Sequence, residues 1–249
     1  VSTQGRIAVI VINRPEARNA VNQEVALGIE SALDLLENDD SLWVGVLTAT
    51  PPIFCAGADL KEISAGRREG LRTERGGFAG IVARQRTKPL IAAVDGPALA
   101  GGLEICLACD TIVASSAASF GIPEVKRSLA AAGGALFRLP RKLPWNVAME
   151  MAMTGEPISA EQAYRWGLVT HLTEPGNAVE QGLAVASAIA ANPPVAVRAA
   201  RRAMLACAGD ESEGWRLSEE AMAEARASED NREGLAAFIE KRTPVWTGR

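Results

Sequence analysis

Two glutamates in apolar, glycine-marked surroundings are the residues of this chain best suited to chemistry. Gly96-Pro97-Ala98-Leu99-Ala100-Gly101-Gly102-Leu103-Glu104 ends in one, and Ser119-Phe120-Gly121-Ile122-Pro123-Glu124 ends in the other. A carboxylate in such a setting is costly unless it is paired, hydrogen-bonded or protonated. Two of them from separate segments point to acid and base work on one small molecule. Neighbouring carboxylates resist double ionisation, so one pKa rises and the pair offers a proton donor and an acceptor at neutral pH. A helix predicted to begin near Gly101 adds amide donors, because its first N–H groups have no intrahelical partner and carry the positive end of the dipole. Glu104 lies about one turn in, on the same side. Cys55-Ala56-Gly57-Ala58 is a second small-residue stretch, whose amides could oppose those at Gly101 around a carbonyl oxygen. Taken singly, each stretch reads equally as tight packing or loop capping.

Other chemistries find little support. The cysteines fall at 55, 106, 109 and 207, and Cys106-Leu107-Ala108-Cys109 sits in an apolar helical run with no basic neighbours, which reads as core. With His171 the only histidine, no metal ligand set is expected, and no Gly-x-Ser-x-Gly elbow accompanies it. The net charge of −4 supplies no global field for nucleic acid or an anionic membrane. No apolar run approaches the roughly 18 residues of a membrane span, no basic-then-apolar leader is visible, and sparse cysteines fit a reducing compartment. A cytoplasmic protein is expected.

The glutamates need a scaffold. At 249 residues, 48% apolar and 22% charged, the chain is long enough for a large α/β core. Strands are expected at Arg6 to Ile12, Trp43 to Thr48, Leu90 to Val94, Thr111 to Ala114 and Leu168 to Leu172. Helices are expected from Asn22, as N-cap, to about Glu37, then at 78–87, 101–108, 145–153, 159–166, 177–191, 194–208, 212–226 and 229–241. The arginine-rich, glycine-rich stretch 64–77 reads as a mobile surface segment. Strand–helix alternation predicts a mainly parallel sheet with right-handed crossovers, followed by a helical last part.

The combination of motifs resembles the crotonase (enoyl-CoA hydratase/isomerase) superfamily over nearly the whole chain. Phe54–Glu62, Gly96–Asp110 and Phe120–Glu124 match in order and spacing. So do Asn13-Arg14-Pro15 with Asn19-Ala20, Thr154-Gly155-x-x-Ile158-Ser159-Ala160-x-x-Ala163 with Gly167-Leu168-Val169, and Phe238-x-x-Lys241-Arg242. The resemblance implies a crotonase-like α/β fold, with a spiral core of ββα repeats over 1–190 and a helical region over 191–249 that assists oligomerisation and completes the CoA site. It implies an oxyanion hole from the N–H groups of Ala56 and Gly101, and one water held between Glu104 and Glu124. Having both glutamates favours hydration of a 2-trans-enoyl-CoA. A Δ3,Δ2-enoyl-CoA isomerase, which needs one glutamate, and a non-catalytic acyl-CoA binder are the alternatives. The resemblance further places substrate binding at Arg18, Ala20, Ala56, Ala58, Asp59, Leu60, Lys61, Gly101 and Pro123, with Phe238 and Lys241 reaching the CoA of an adjacent subunit. No cofactor is implied beyond the CoA of the substrate, and the implied assembly is a homotrimer or a hexamer. The family's Pro-Gly-x-Gly-Gly after the second glutamate is here an alanine-rich run, Ser128 to Ala135, expected to narrow the acyl space. Lys126 and Arg127 are expected to point outward.

Overall fold

The computed structural model describes residues 1–192, 194–207, 223, 226–227 and 229–244. Its main sheet has six strands in the order β1 (Ser2–Gln4), β2 (Ile7–Ile12), β3 (Val44–Ala49), β6 (Leu90–Val94), β8 (Thr111–Ser115) and β11 (His171–Thr173). Only the β1–β2 pair is antiparallel. Alternation along the strands divides the core in two. Ile7, Val9, Val44, Val46, Ile91, Ala93 and Val113 face α7 (Ala178–Ala190), while Ala8, Ile10, Ile12, Leu47, Ala92 and Ile112 face the main core with α1 (Gln23–Asn38) and α3 (Gly101–Ala108). Asn22 caps α1, its side chain accepting from the Val25 N–H as the sequence suggested.

A second, three-stranded sheet sets the site. β7 (Ala98–Leu99) pairs in parallel with β9 (Ser119–Gly121), which pairs antiparallel with β10 (Ile158–Ser159). The register places Leu99 opposite Gly121, so the two segments that end in Glu104 and Glu124 leave the sheet side by side. The loop at Cys55 joins this edge: the Phe54 and Cys55 N–H groups donate to the Pro97 carbonyl and the Leu99 N–H to that of Cys55.

Several expectations need correction. No helix forms over 78–87; turns follow β5 (Gly77–Phe78), because Gly77, Ala79 and Gly80 all have positive φ, which breaks helical propagation. The stretch 64–77 is pinned rather than loose. A 3-10 turn at Arg68–Leu71 and the hairpin β4 (Arg72–Thr73)–β5 dock on α1, with Thr73 donating to Glu30 at 2.7 Å and Arg75 paired with Asp34 at 2.6 Å. The last strand starts at His171 instead of Leu168, since the Leu168 and Val169 amides fold back to the Ala163 carbonyl at the end of α6 (Ala160–Arg165). Helices α5 (Trp145–Thr154), α8 (Pro194–Cys207) and α9 (Glu229–Glu240) match the periodicity, whereas the expected helix over 212–226 lies largely outside the described residues. Cys55, Cys106 and Cys109 are buried, unbridged core residues, and burial pushes the Cys55 and Cys109 thiols up to about 12.

Asn19 locks the approach to the site. Fully buried at φ 53°, it donates to the carbonyls of Thr50 and Ile53 and accepts from the Arg14 N–H. Asparagine tolerates the left-handed region, and alanine supplies none of these bonds. Asn19→Ala is expected to lose about 2–4 kcal/mol of stability in denaturant unfolding, from two orphaned carbonyls, one orphaned amide and added backbone strain.

Candidate active site

Glu104 sits in the first turn of α3. Ala100 caps that helix at φ 53°, its N–H bound to the Gly121 carbonyl at 2.8 Å, so the turn presenting Gly101 is fastened to the strand that carries the other acid. Gly102 must be glycine: a Cβ there would lie 2.1 Å from the Cys55 carbonyl oxygen. The Glu104 side chain is buried, 4% exposed. Its Oε1 accepts from the Gly133 N–H at 2.6 Å and the Ala135 N–H at 3.2 Å. Burial raises its pKa, and these two amides and the charge of Arg138 oppose the rise.

Glu124 follows Pro123 in a 3-10 turn (Pro123–Arg127). Burial first, then the charge of Glu104, push its carboxyl up to about 8. Its Oε2 is buried and has no hydrogen-bond partner among the described residues. Glu104 thus resembles a fixed acceptor, and Glu124 a carboxyl with a proton to give. Both line one cavity of about 460 Å³, together with Ala58, Leu60, Phe78, Gly101, Ala132 and Gly133. A larger space of about 590 Å³ shares Val82, Ala83 and Gln85 as a wall and holds neither glutamate.

The amide expected from Ala56 is not available. Its N–H donates to the Arg18 carbonyl at 3.1 Å, and Ala56 does not line the cavity. Ala58, two residues on, does line it. Val21 uses the Gly57 carbonyl and the Asp59 N–H on either side, which leaves the Ala58 N–H without an acceptor among the described residues. The same holds for the Gly101 N–H at the helix start, and an added Cβ on the intervening neighbour Gly57 would lie 3.0 Å from that nitrogen.

The other expected residues divide. Leu60 and Ala58 line the cavity; Arg18 and Lys61 are exposed outside it, and the Ala20 carbonyl is engaged by Arg14 at 3.0 Å. Asp59 is a structural residue, contrary to expectation. It caps α2 (Leu60–Ser64) through the Lys61 N–H and pairs with Arg14 at 2.7 Å, which leaves its carboxylate satisfied. Pro123 opens the Glu124 turn and does not reach the cavity. Phe238, 45% exposed on α9, lies under the Arg127 guanidinium of its own chain at 4.6 Å, and Lys241 is exposed just beyond the helix. Lys126 points outward to Glu156, as expected; Arg127 does not, being half-buried with a charge that helps ionise Glu124. Sequence reading missed the Gly133 and Ala135 amides. The Gly133-Gly134 pair, with Gly134 at φ 106° starting α4 (Ala135–Lys142), was the available signal, and the alanine-rich run leaves these donors in place.

The sequence pattern of the enoyl-CoA hydratase/isomerase family matches residues 2–249. The chain belongs to this family. Among similar solved structures is a carnitinyl-CoA hydratase from Mycobacterium avium, 43% identical, covering 100% of this chain and 97% of that one at a TM-score of 0.93. An enoyl-CoA hydratase of Mycobacterium tuberculosis is 37% identical over 100% of this chain and 96% of its own. A 2,3-dehydroadipyl-CoA hydratase of Escherichia coli is 35% identical over 100% of this chain and 98% of its own. The crotonase fold expected from the motifs is therefore this family member's fold.

Proposed function

We propose that the protein is an enoyl-CoA hydratase, a hydro-lyase adding water across the C2=C3 bond of a 2-trans-enoyl-CoA thioester. One observation carries the reading: the buried Glu104 carboxyl and the half-buried Glu124 carboxyl share a cavity with two amides that have no acceptor among the described residues. Relatives that are hydratases of acyl-CoA thioesters support it. An isomerase needs only one carboxylate to carry a proton between C2 and C4, whereas addition of water uses two.

The thioester carbonyl accepts from the Ala58 and Gly101 N–H groups, which stabilise the enolate oxygen as charge develops. Glu104, held as an acceptor by two amides, takes a proton from water while the water oxygen bonds to C3. The C2=C3 electrons move toward the carbonyl, and Glu124 gives its proton to C2 as the carbonyl reforms. The product gains one hydrogen at C2 and one hydroxyl at C3. The proton left on Glu104 returns to Glu124 through the next water, which restores the pair. The chemistry requires no group beyond the CoA of the substrate. Exposed apolar residues on α8 and α9, including Val195, Met204 and Ile239, support assembly into trimers or pairs of trimers, which light scattering of the purified protein tests.

Conversion of crotonyl-CoA to 3-hydroxybutyryl-CoA, followed by loss of the enoyl ultraviolet band, tests the reaction. Migration of the double bond in a 3-enoyl-CoA without hydration would overturn it. A pH profile adds a second check. The donor form of Glu124 exists below its raised pKa, so kcat/KM is expected to fall as pH rises through about 8. The limb belongs to the coupled pair, and Glu124→Gln should remove it.

A further inference from the structure

Three arginines crowd the cavity that holds the catalytic pair. Arg68 comes from the 3-10 turn after α2, Arg72 from the start of β4, and Arg226 from the far end of the chain; all three line the same space as Glu104 and Glu124. Burial, and then the charges of Arg68 and Arg72, hold the Arg226 guanidinium below its usual value, so the three feel one another. Among the described residues Glu69, which lines the same cavity, is the acidic group whose charge acts on Arg226, and no carboxylate lies within 4 Å of any of the three guanidinium groups. Like charges gathered from segments so far apart in the chain repel, and a negative group supplied by a ligand relieves that repulsion. Of the residues expected to meet CoA, Ala58 and Leu60 line this cavity and Arg18, Ala20 and Lys61 lie outside it; the arginines share the space with both glutamates, and so border the acyl group on which the pair acts.

Resting on the hydratase reading, we propose that Arg68, Arg72 and Arg226 select an enoyl-CoA whose acyl chain ends in a carboxylate. The guanidinium fork matches a carboxylate in a way that a lysine would not, and its charge disfavours a cationic tail.

The test compares initial rates on chain-matched pairs: the monothioesters of five- and six-carbon unsaturated dicarboxylic acids against 2-pentenoyl- and 2-hexenoyl-CoA, with a trimethylammonium-bearing enoyl-CoA as the cationic probe. The carboxylate substrates are expected to exceed their neutral partners in kcat/KM by about tenfold or more, and the cationic one to fall below them. Arg72→Met, and Arg68→Met with Arg226→Met, should each collapse the carboxylate-to-neutral ratio toward one, chiefly through KM. Equal kcat/KM for charged and neutral chains in wild type, with hydration intact, would overturn the proposal and leave the hydratase reading standing. Variants that raise KM equally for every thioester would also overturn it, by assigning the arginines to the CoA phosphates. Absence of hydration on all substrates would sink the hydratase reading and this one together.

Discussion

Glu104→Gln and Glu124→Gln are each expected to lower kcat for crotonyl-CoA hydration by about 10²–10⁴-fold, the range that a positioned acid or base contributes. The double variant is expected to lose little more than the worse single one, because the two groups act on one water and removing either breaks the unit. Both substitutions keep side-chain volume, so a loss of activity with a preserved unfolding transition assigns the effect to chemistry. Stability should respond to pH through the same carboxyl. The folded Glu124 carboxyl titrates near 8 against an ordinary value of 4.5, so the folded protein holds a proton that the unfolded chain releases across that window. Wild-type stability should therefore decline as pH rises from about 4.5 through 8. Glu124→Gln should flatten that decline, leaving the share that comes from the raised pKa of Glu104, and should be the more stable protein at pH 9. Wild-type turnover in either single variant would reject the assignment of the pair.

Gly133→Ala should be nearly as damaging, without touching a titratable group. A Cβ at this position would lie 2.2 Å from Glu104 Oε2, while the Gly133 N–H holds Oε1 at 2.6 Å. The methyl and the carboxylate cannot share that space, so the side chain must leave its two amide donors or the loop before α4 must shift. A displacement of about 1 Å at a reacting group costs on the order of 10²-fold in rate, and kcat is expected to drop by about that factor. In a Glu104→Gln background the same substitution should add little, since the group it displaces is already inactive. A full additive loss in that double variant would mean that Gly133 acts on the fold at large and not through Glu104.

The long periodic elements were legible because burial imposes a period. Ile7 to Ile12, with alternate residues facing two covered sides, and the Asn22-capped amphipathic helix announce themselves from side-chain type alone. Glu104 and Glu124 were legible as carboxylates in sequence too apolar to leave them in water. The second sheet was not, since strands of two or three residues carry no period, yet the Leu99–Gly121 register is what brings the acids together. The amide proposed for the thioester oxygen lies two residues beyond the expected one for a related reason. Cys55 to Ala58 offers four amides among small side chains, and only the hydrogen-bond phase separates them: Ala56 is consumed by Arg18, Gly57 lies 3.4 Å from the Cys55 sulfur, and Ala58 is left over. Composition records that a backbone can be approached; it does not record which amide the surrounding chain has already used.

The turn that carries Glu124 leans on the last helix. Along one face of α9, Asn231 reaches the Ser128 carbonyl, Gly234 packs so closely that a Cβ would lie 2.6 Å from the Arg127 carbonyl oxygen, and Phe238 receives the Arg127 guanidinium. Synthesis runs from the N-terminus, so both acids are made well before residues 231–238, which lie more than a hundred positions further along. The Glu124 turn is braced only when 231–238 has emerged and docked. Competence thus arrives late on the ribosome, and trimming or crowding that terminal segment should silence the enzyme from a distance.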